Sequence, residues 1–141
     1  MSVHTIKKGL DLPIAGEPDQ RIEKAPPVER VALLAHDYHF MKPRMHVAVG
    51  DRVRRGQMIF EDRKTEGVRF TSPGAGEVVA INRGERRAFQ SLVIELSQSE
   101  REGRPDGDDL QTFASYSGSE VSRLDRDQVR DLLVESGQWT A

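Results

Sequence analysis

His36 and His39, with Asp37 between them and His46 further on, are residue types that bind zinc or iron. Side chains three apart share a face on a helix. The aliphatic run Val31–Ala35 before the pair reads as strand, and Pro43 follows it. The pair is therefore expected in a polar, exposed loop, and no metal site is assigned. Arg52, Arg54 and Arg55 form one basic turn, and Arg83, Arg86 and Arg87 form another. Guanidinium groups at this density suit phosphates, anionic lipid heads or an acidic partner, although a charge run is most often a solvated face. Gly74-Ala75-Gly76 lacks the third glycine and following helix of a dinucleotide fingerprint. Ser72, Ser91 and Ser115 have no His/Asp arrangement that suggests a nucleophile. No convergent acid, base, metal set or nucleophile emerges, so no catalytic, cofactor-binding or metal-binding residue is assigned.

The elements that carry these residues are short. The 141 residues are 36 % hydrophobic and 31 % charged, with net charge −2, which suits one modest core and argues against a nucleic-acid partner. The absence of cysteine excludes disulfides, thiolate zinc sites and an iron–sulfur cluster held by this chain. The longest aliphatic run is Val31–Ala35, far short of the roughly 20 residues that span a bilayer. Met1–Leu10 has no signal-peptide apolar stretch, so the default compartment is the cytoplasm.

Frequent Pro and Gly predict strands rather than long helices. Strands are expected at Val28–Ala35, His46–Val49, Met58–Glu61, Val68–Thr71, Gly76–Ile81 and Ser91–Leu96, with Leu92, Ile94 and Leu96 sharing one face. Six such strands indicate a sandwich or barrel. Lys7–Glu23 should be an extended arm, with Leu10, Leu12 and Ile14 on one side. The stretch Gln98–Asp109 is rich in Ser, Gly, Asp and Glu and reads as a linker. Residues 1–97 carry net +3 and residues 98–141 net −5, so a boundary is placed there. The second part contains one helix. Asp125 and Gln128 make a capping box, Leu124 and Val129 a hydrophobic staple, and Gly137 a stop. Its apolar stripe is only Val129, Leu132 and Leu133, so it must dock on something. Together with Trp139 that stripe is expected to belong to an interface with sequence beyond Ala141, in a longer polypeptide.

The informative stretch is Val47–Lys64, VAVGDRVRRGQMIFEDRK, followed by Phe70–Ile81, FTSPGAGEVVAI. Gly50 and Asp51 supply one turn and Gly56 a reversal that requires positive φ. Val47, Gly50, Asp51, Val53, Gly56, Gln57, Glu61, Ser72, Pro73, Gly76, Val78 and Ile81 together resemble the biotinyl/lipoyl-carrier fold, a mainly β barrel-sandwich hybrid. Such carriers attach their cofactor to a hairpin lysine, here Lys64. Arg63 replaces the residue usually found before that lysine, and Glu66 and Gly67 replace the usual small or apolar follow-on. Lys64 is therefore expected unmodified and exposed. A carrier domain using Lys64 is kept as the alternative, beside a stand-alone interaction module using the arm.

A resemblance of wider coverage runs through Lys7–Gln20, Val31–Tyr38, Gly50–Lys64, Val68–Arg87 and Leu132–Ala141. In that order these segments resemble the N-terminal part of the A subunit of sodium-translocating NADH:quinone oxidoreductases. Gly9–Gly16 is the most family-specific part, because no general fold rule demands it. The C subunit of Rnf-type complexes resembles the barrel but not the arm. The resemblance implies a 1–97 barrel-sandwich hybrid domain with its arm, then a 98–141 linker and the start of a larger α/β domain. It also implies a peripheral subunit on the cytoplasmic side of the bacterial inner membrane, with other subunits and ubiquinone as partners. The complex's FAD, FMN, riboflavin and iron–sulfur cluster are implied to lie elsewhere, and the quinone contacts are not assignable. By this reading the 141 residues alone perform no catalysis.

Overall fold

The computed structural model describes Gly9, residues 15–116, Gly118 and residues 120–139. Seven strands follow one another: β1 (Arg30–Leu34), β2 (Pro43–Met45), β3 (Arg52–Val53), β4 (Met58–Asp62), β5 (Arg69–Thr71), β6 (Gly76–Arg83) and β7 (Phe89–Leu96). They form two sheets, one ordered β1-β7-β6-β3 and the other β2-β4-β5, with every pairing antiparallel. Leu33, Val53, Ile59, Phe60, Val78, Leu92 and Ile94 make the shared core. Among the described residues, no helix between Val31 and Leu96 exceeds a single three-residue 3₁₀ turn.

Alternation along β7 is as expected. Leu92, Ile94 and Leu96 are buried and the residues between them are only partly so. This follows from the two-residue period of a pleated strand. The Gly-Asp and Gly-Gln turns work as the motif predicts. Gly50 and Gly56 adopt φ of 96° and 85°. Asp51 accepts the Ala48 N–H at 2.8 Å, and the Gln57 side-chain oxygen accepts the Arg54 N–H at 3.0 Å. The polar side chains thus close the turns locally.

Two strand positions differ from expectation. The ladder expected at His46–Val49 begins three residues earlier, at β2. His46 N–H still donates to Ile59 O at 2.9 Å, but the chain then leaves the sheet to build the turn closed by Asp51. β3 falls where the sequence predicts only a turn, and with two residues it is too short to show any periodicity.

The stretch Gln98–Asp109 is not bare loop. It holds a short helix, α1 (Gln98–Arg101), capped by the Ser97 hydroxyl. Its contacts with the barrel are polar, in keeping with its composition. The second helix, α2 (Arg126–Glu135), begins as predicted, with Asp125 and Gln128 in a reciprocal capping box. It ends at Gly137, φ 77°, with Gln138 N–H reaching back to Leu133 O at 2.9 Å and Gly137 N–H to Val134 O at 3.3 Å. That is the Schellman pattern. The helix docks on the barrel through its C-terminal end, where the Thr71 hydroxyl donates to Ser136 O at 3.2 Å. Residues 15–23 of the arm are exposed, and Ile22 is 98 % exposed. Leu10, Leu12 and Ile14 lie outside the described residues.

Candidate functional site

Strand register places three connections at one end of the sandwich. β1 finishes there, Leu34 opposite Ser91, and β2 starts there, Pro43 opposite Asp62. The 35–42 loop, the β4–β5 hairpin at 63–68 and the β6–β7 hairpin at 84–88 therefore share this end. The carrier-type lysine belongs to the middle one.

Asp62 organises that hairpin. Its carboxylate accepts the Lys42 N–H at 3.0 Å and the Lys64 N–H at 3.2 Å. Burial raises the Asp62 carboxyl, but these N–H groups, the Thr65 hydroxyl and the Lys64 charge outweigh it and hold it below the usual carboxylate range. Arg63 N–H donates to Lys42 O at 2.9 Å, joining the hairpin to the neighbouring loop. Lys64 is exposed, as expected, but its ammonium is not projected freely. Nζ donates to the Phe40 carbonyl at 2.9 Å. Sequence reasoning passes over Asp62. Its signal is an Asp two residues before Lys64 in a hairpin, the spacing of an Asx turn.

Beside the hairpin lies a cleft of 680 Å³ whose walls include Tyr38, Met41, Val68, Phe70 and Trp139. Tyr38 meets Phe70 edge-on at 4.5 Å between centroids, and Phe70 stacks on Phe60 at 4.7 Å. Burial, then the charge of Asp37, pushes the Tyr38 phenol up. Trp139 is 40 % exposed and its backbone N–H donates to Leu133 O at 2.9 Å, so the end of α2 carries it onto the cleft. The lining is mixed, with these aromatic and apolar groups joined by Asp37, His39, Asp62 and Arg69.

His36 falls in a 3₁₀ turn, Ala35–Asp37, where the sequence predicts plain loop. Tyr38 then returns to extended backbone, so His39 leaves the turn and the histidines are not presented as a helical pair. Both are exposed, and among the described residues no three His, Asp or Glu side chains gather as a metal-holding group.

The two basic turns have different fates. Arg55 forms a bidentate pair with Glu100, and Arg52 Nη2 lies 3.6 Å from Asp109 Oδ1. Glu100, 4 % exposed, also accepts the Ala75 N–H at 2.8 Å. Burial pushes the Glu100 carboxyl up, but Arg55 and the Ala75 N–H together hold it below its usual range. Asp109 is 1 % exposed. The Ser99 hydroxyl, first among its partners, holds its carboxyl low against the opposing effect of burial. Arg52 and Arg55 of the first turn therefore anchor the 98–110 segment, while Arg54 stays exposed. On the second turn, Arg83, Arg86 and Arg87 remain exposed.

Residues 4–97 match the family described as the NqrA N-terminal barrel-sandwich hybrid domain. The chain belongs to that family. Similarity to its curated members extends beyond the barrel. The chain is 57 % identical over 136 residues to the A subunit of the Na(+)-translocating NADH-quinone reductase of Hahella chejuensis, covering 96 % of this chain and 28 % of that protein. It is 53 % identical over 139 residues to the corresponding Marinomonas sp. protein, covering 99 % and 29 %. The Pseudomonas aeruginosa protein of the same name is 54 % identical over 136 residues, covering 96 % and 28 %. The chain thus spans less than a third of the length of these relatives. The similarity includes the acidic segment and α2, which lie beyond the matched barrel.

Proposed function

We propose that this chain works as the N-terminal portion of the A subunit of a sodium-translocating NADH:quinone reductase, where the barrel-sandwich domain is a structural and quinone-associated module. The observation that carries this is similarity across 96–99 % of the chain to proteins of that name, from barrel through to α2. In this reading the barrel is a carrier fold turned to assembly. Lys64 at the carrier position bonds a backbone carbonyl, which supports a structural use over cofactor attachment. Electron transfer through FAD, FMN, riboflavin and an iron–sulfur cluster belongs to other parts of the complex. The module sits peripherally, on the cytoplasmic side of the bacterial inner membrane, beside the other subunits. No helix among the described residues is long and apolar enough to cross a membrane. The domain division falls after residue 97, with 98–141 leading into the next domain and tied back to the barrel by Arg55–Glu100 and Arg52–Asp109.

The test is a host strain in which residues 28–97 are deleted in frame from the full-length gene. Membrane vesicles should lose sodium-dependent NADH:quinone reductase activity, and the shortened protein should no longer co-purify with the remaining subunits. Wild-type rates in vesicles shown to contain only the shortened protein would overturn the proposal.

A further inference from the structure

The 680 Å³ cleft is walled by separate parts of the chain. Tyr38, His39 and Met41 come from the 35–42 loop, and Phe70, Thr71 and Trp139 from β5 and the residues after α2. Its shape therefore depends on where the loop is held. The loop is fastened at two points. The Tyr38 ring meets Phe70 edge-on at 4.5 Å. Four residues on, Lys42 N–H donates to the Asp62 carboxylate at 3.0 Å, and the Lys42 carbonyl accepts Arg63 N–H at 2.9 Å.

Between these points Phe40 adopts a φ of 60°. The left-handed region is unfavourable for a residue with a Cβ, and for a bulky one it is an outlier. Side-chain packing does not offset that cost, because Phe40 is 86 % exposed. Bonds to the hairpin hold the conformation instead. The Phe40 carbonyl accepts Lys64 Nζ at 2.9 Å. Asp62 is common to these ties. The oxygen that takes Lys42 N–H also takes Lys64 N–H at 3.2 Å, and so fixes the backbone from which the Lys64 ammonium reaches Phe40.

We infer that Asp62 is a clip that keeps the cleft formed, and that Phe40 stores the backbone strain that opposes it. With the carboxylate in place, the 35–42 loop is drawn onto the β4–β5 hairpin. Without it, Phe40 relaxes to ordinary negative φ, and Tyr38, His39 and Met41 leave the wall. Asp62 is thus a positioning residue for whatever enters the cleft. Lys64, at the carrier position, supplies the second tie.

The test compares the full-length protein, purified from its native host, with its Asp62→Ala, Asp62→Asn and Phe40→Gly variants. Hydrogen exchange and peroxide oxidation of methionine are both read by mass spectrometry of peptides. Asp62→Ala leaves two backbone N–H groups without their acceptor, so exchange over residues 38–42 should rise on the order of tenfold. Oxidation of Met41, half-buried in the wall, should speed up by a similar factor. Met45 in β2 and the amides of β7 should keep their wild-type rates. Asp62→Asn retains an acceptor oxygen and should stay within about threefold of wild type. Phe40→Gly removes a side chain but suits positive φ, so it should slow exchange across the loop by about threefold and partly reverse Asp62→Ala when the two are combined. Wild-type rates in Asp62→Ala, loosening that spreads equally to β7, Asp62→Asn as loose as Asp62→Ala, or faster exchange in Phe40→Gly would each overturn the inference.

Discussion

Replacing Glu100 by alanine should detach the acidic segment from the barrel at a measurable cost. The side chain is 4 % exposed and holds two groups, the Arg55 guanidinium and the Ala75 N–H. Breaking a fully buried pair leaves an unpaired charge and costs about 3–5 kcal/mol. That figure is too large here, because Arg55 is 44 % exposed and water can take it over. What remains is an unsatisfied Ala75 N–H, worth about 1–3 kcal/mol, and a partly screened ion pair, worth up to about 1 kcal/mol. Glu100→Ala should therefore cost about 2–3 kcal/mol. Glu100→Gln keeps an acceptor for Ala75 and should cost about 1 kcal/mol. Urea unfolding followed by circular dichroism reads both values. The effect should also depend on pH in one direction. The Glu100 carboxyl is held below its ordinary value of 4.5 in the folded protein, so its contribution is full above that value. It is lost as pH falls through the lowered, folded value. The gap between wild type and Glu100→Ala should thus be constant near neutrality and narrow in acid. A cost under about 0.5 kcal/mol for Glu100→Ala, or a gap that widens in acid, would refute the reasoning.

Substitutions at three further positions and one mass measurement probe separate parts of the fold. A Cβ on Gly76 would sit 1.9 Å from Glu95 O across the β6–β7 ladder, so Gly76→Ala should cost about 3 kcal/mol or more, read by denaturant midpoint. Asp125→Ala removes the capping box and should cost about 1 kcal/mol, with Asp125→Asn nearly silent, as followed by amide exchange of α2. Gly137→Ala combines a φ of 77° with a Cβ 3.0 Å from Thr71, and should speed exchange across residues 126–135 while leaving β7 protected. Protein purified from its native host should show the intact mass of an unmodified chain at Lys64, and a shift equal to biotin or lipoate would overturn the structural reading of that lysine.

Much of this architecture is legible in the sequence, because the responsible interactions are local. The Gly-Asp and Gly-Gln turns close on side chains three residues away, Ala48 with Asp51 and Arg54 with Gln57. The alternation of Leu92, Ile94 and Leu96 follows from strand geometry, and the start of α2 from a four-residue box. The end of the sandwich that carries Lys64, Phe40 and the hairpin arginines is a different matter. Two basic turns of similar composition look alike in one dimension. Only the fold brings Glu100 to Arg55, 45 residues away, while leaving Arg86 and Arg87 exposed. The use of Lys64 depends on a carbonyl 24 residues earlier, and the seat of α2 on a threonine 65 residues before Ser136. Local hydrogen bonds and periodicity are determined by neighbours along the chain. Which charges are neutralised, which carboxylates are buried and which loops share one end depend on strand order and register. Those are decided only when the two sheets close over Phe60, Leu92 and Ile94.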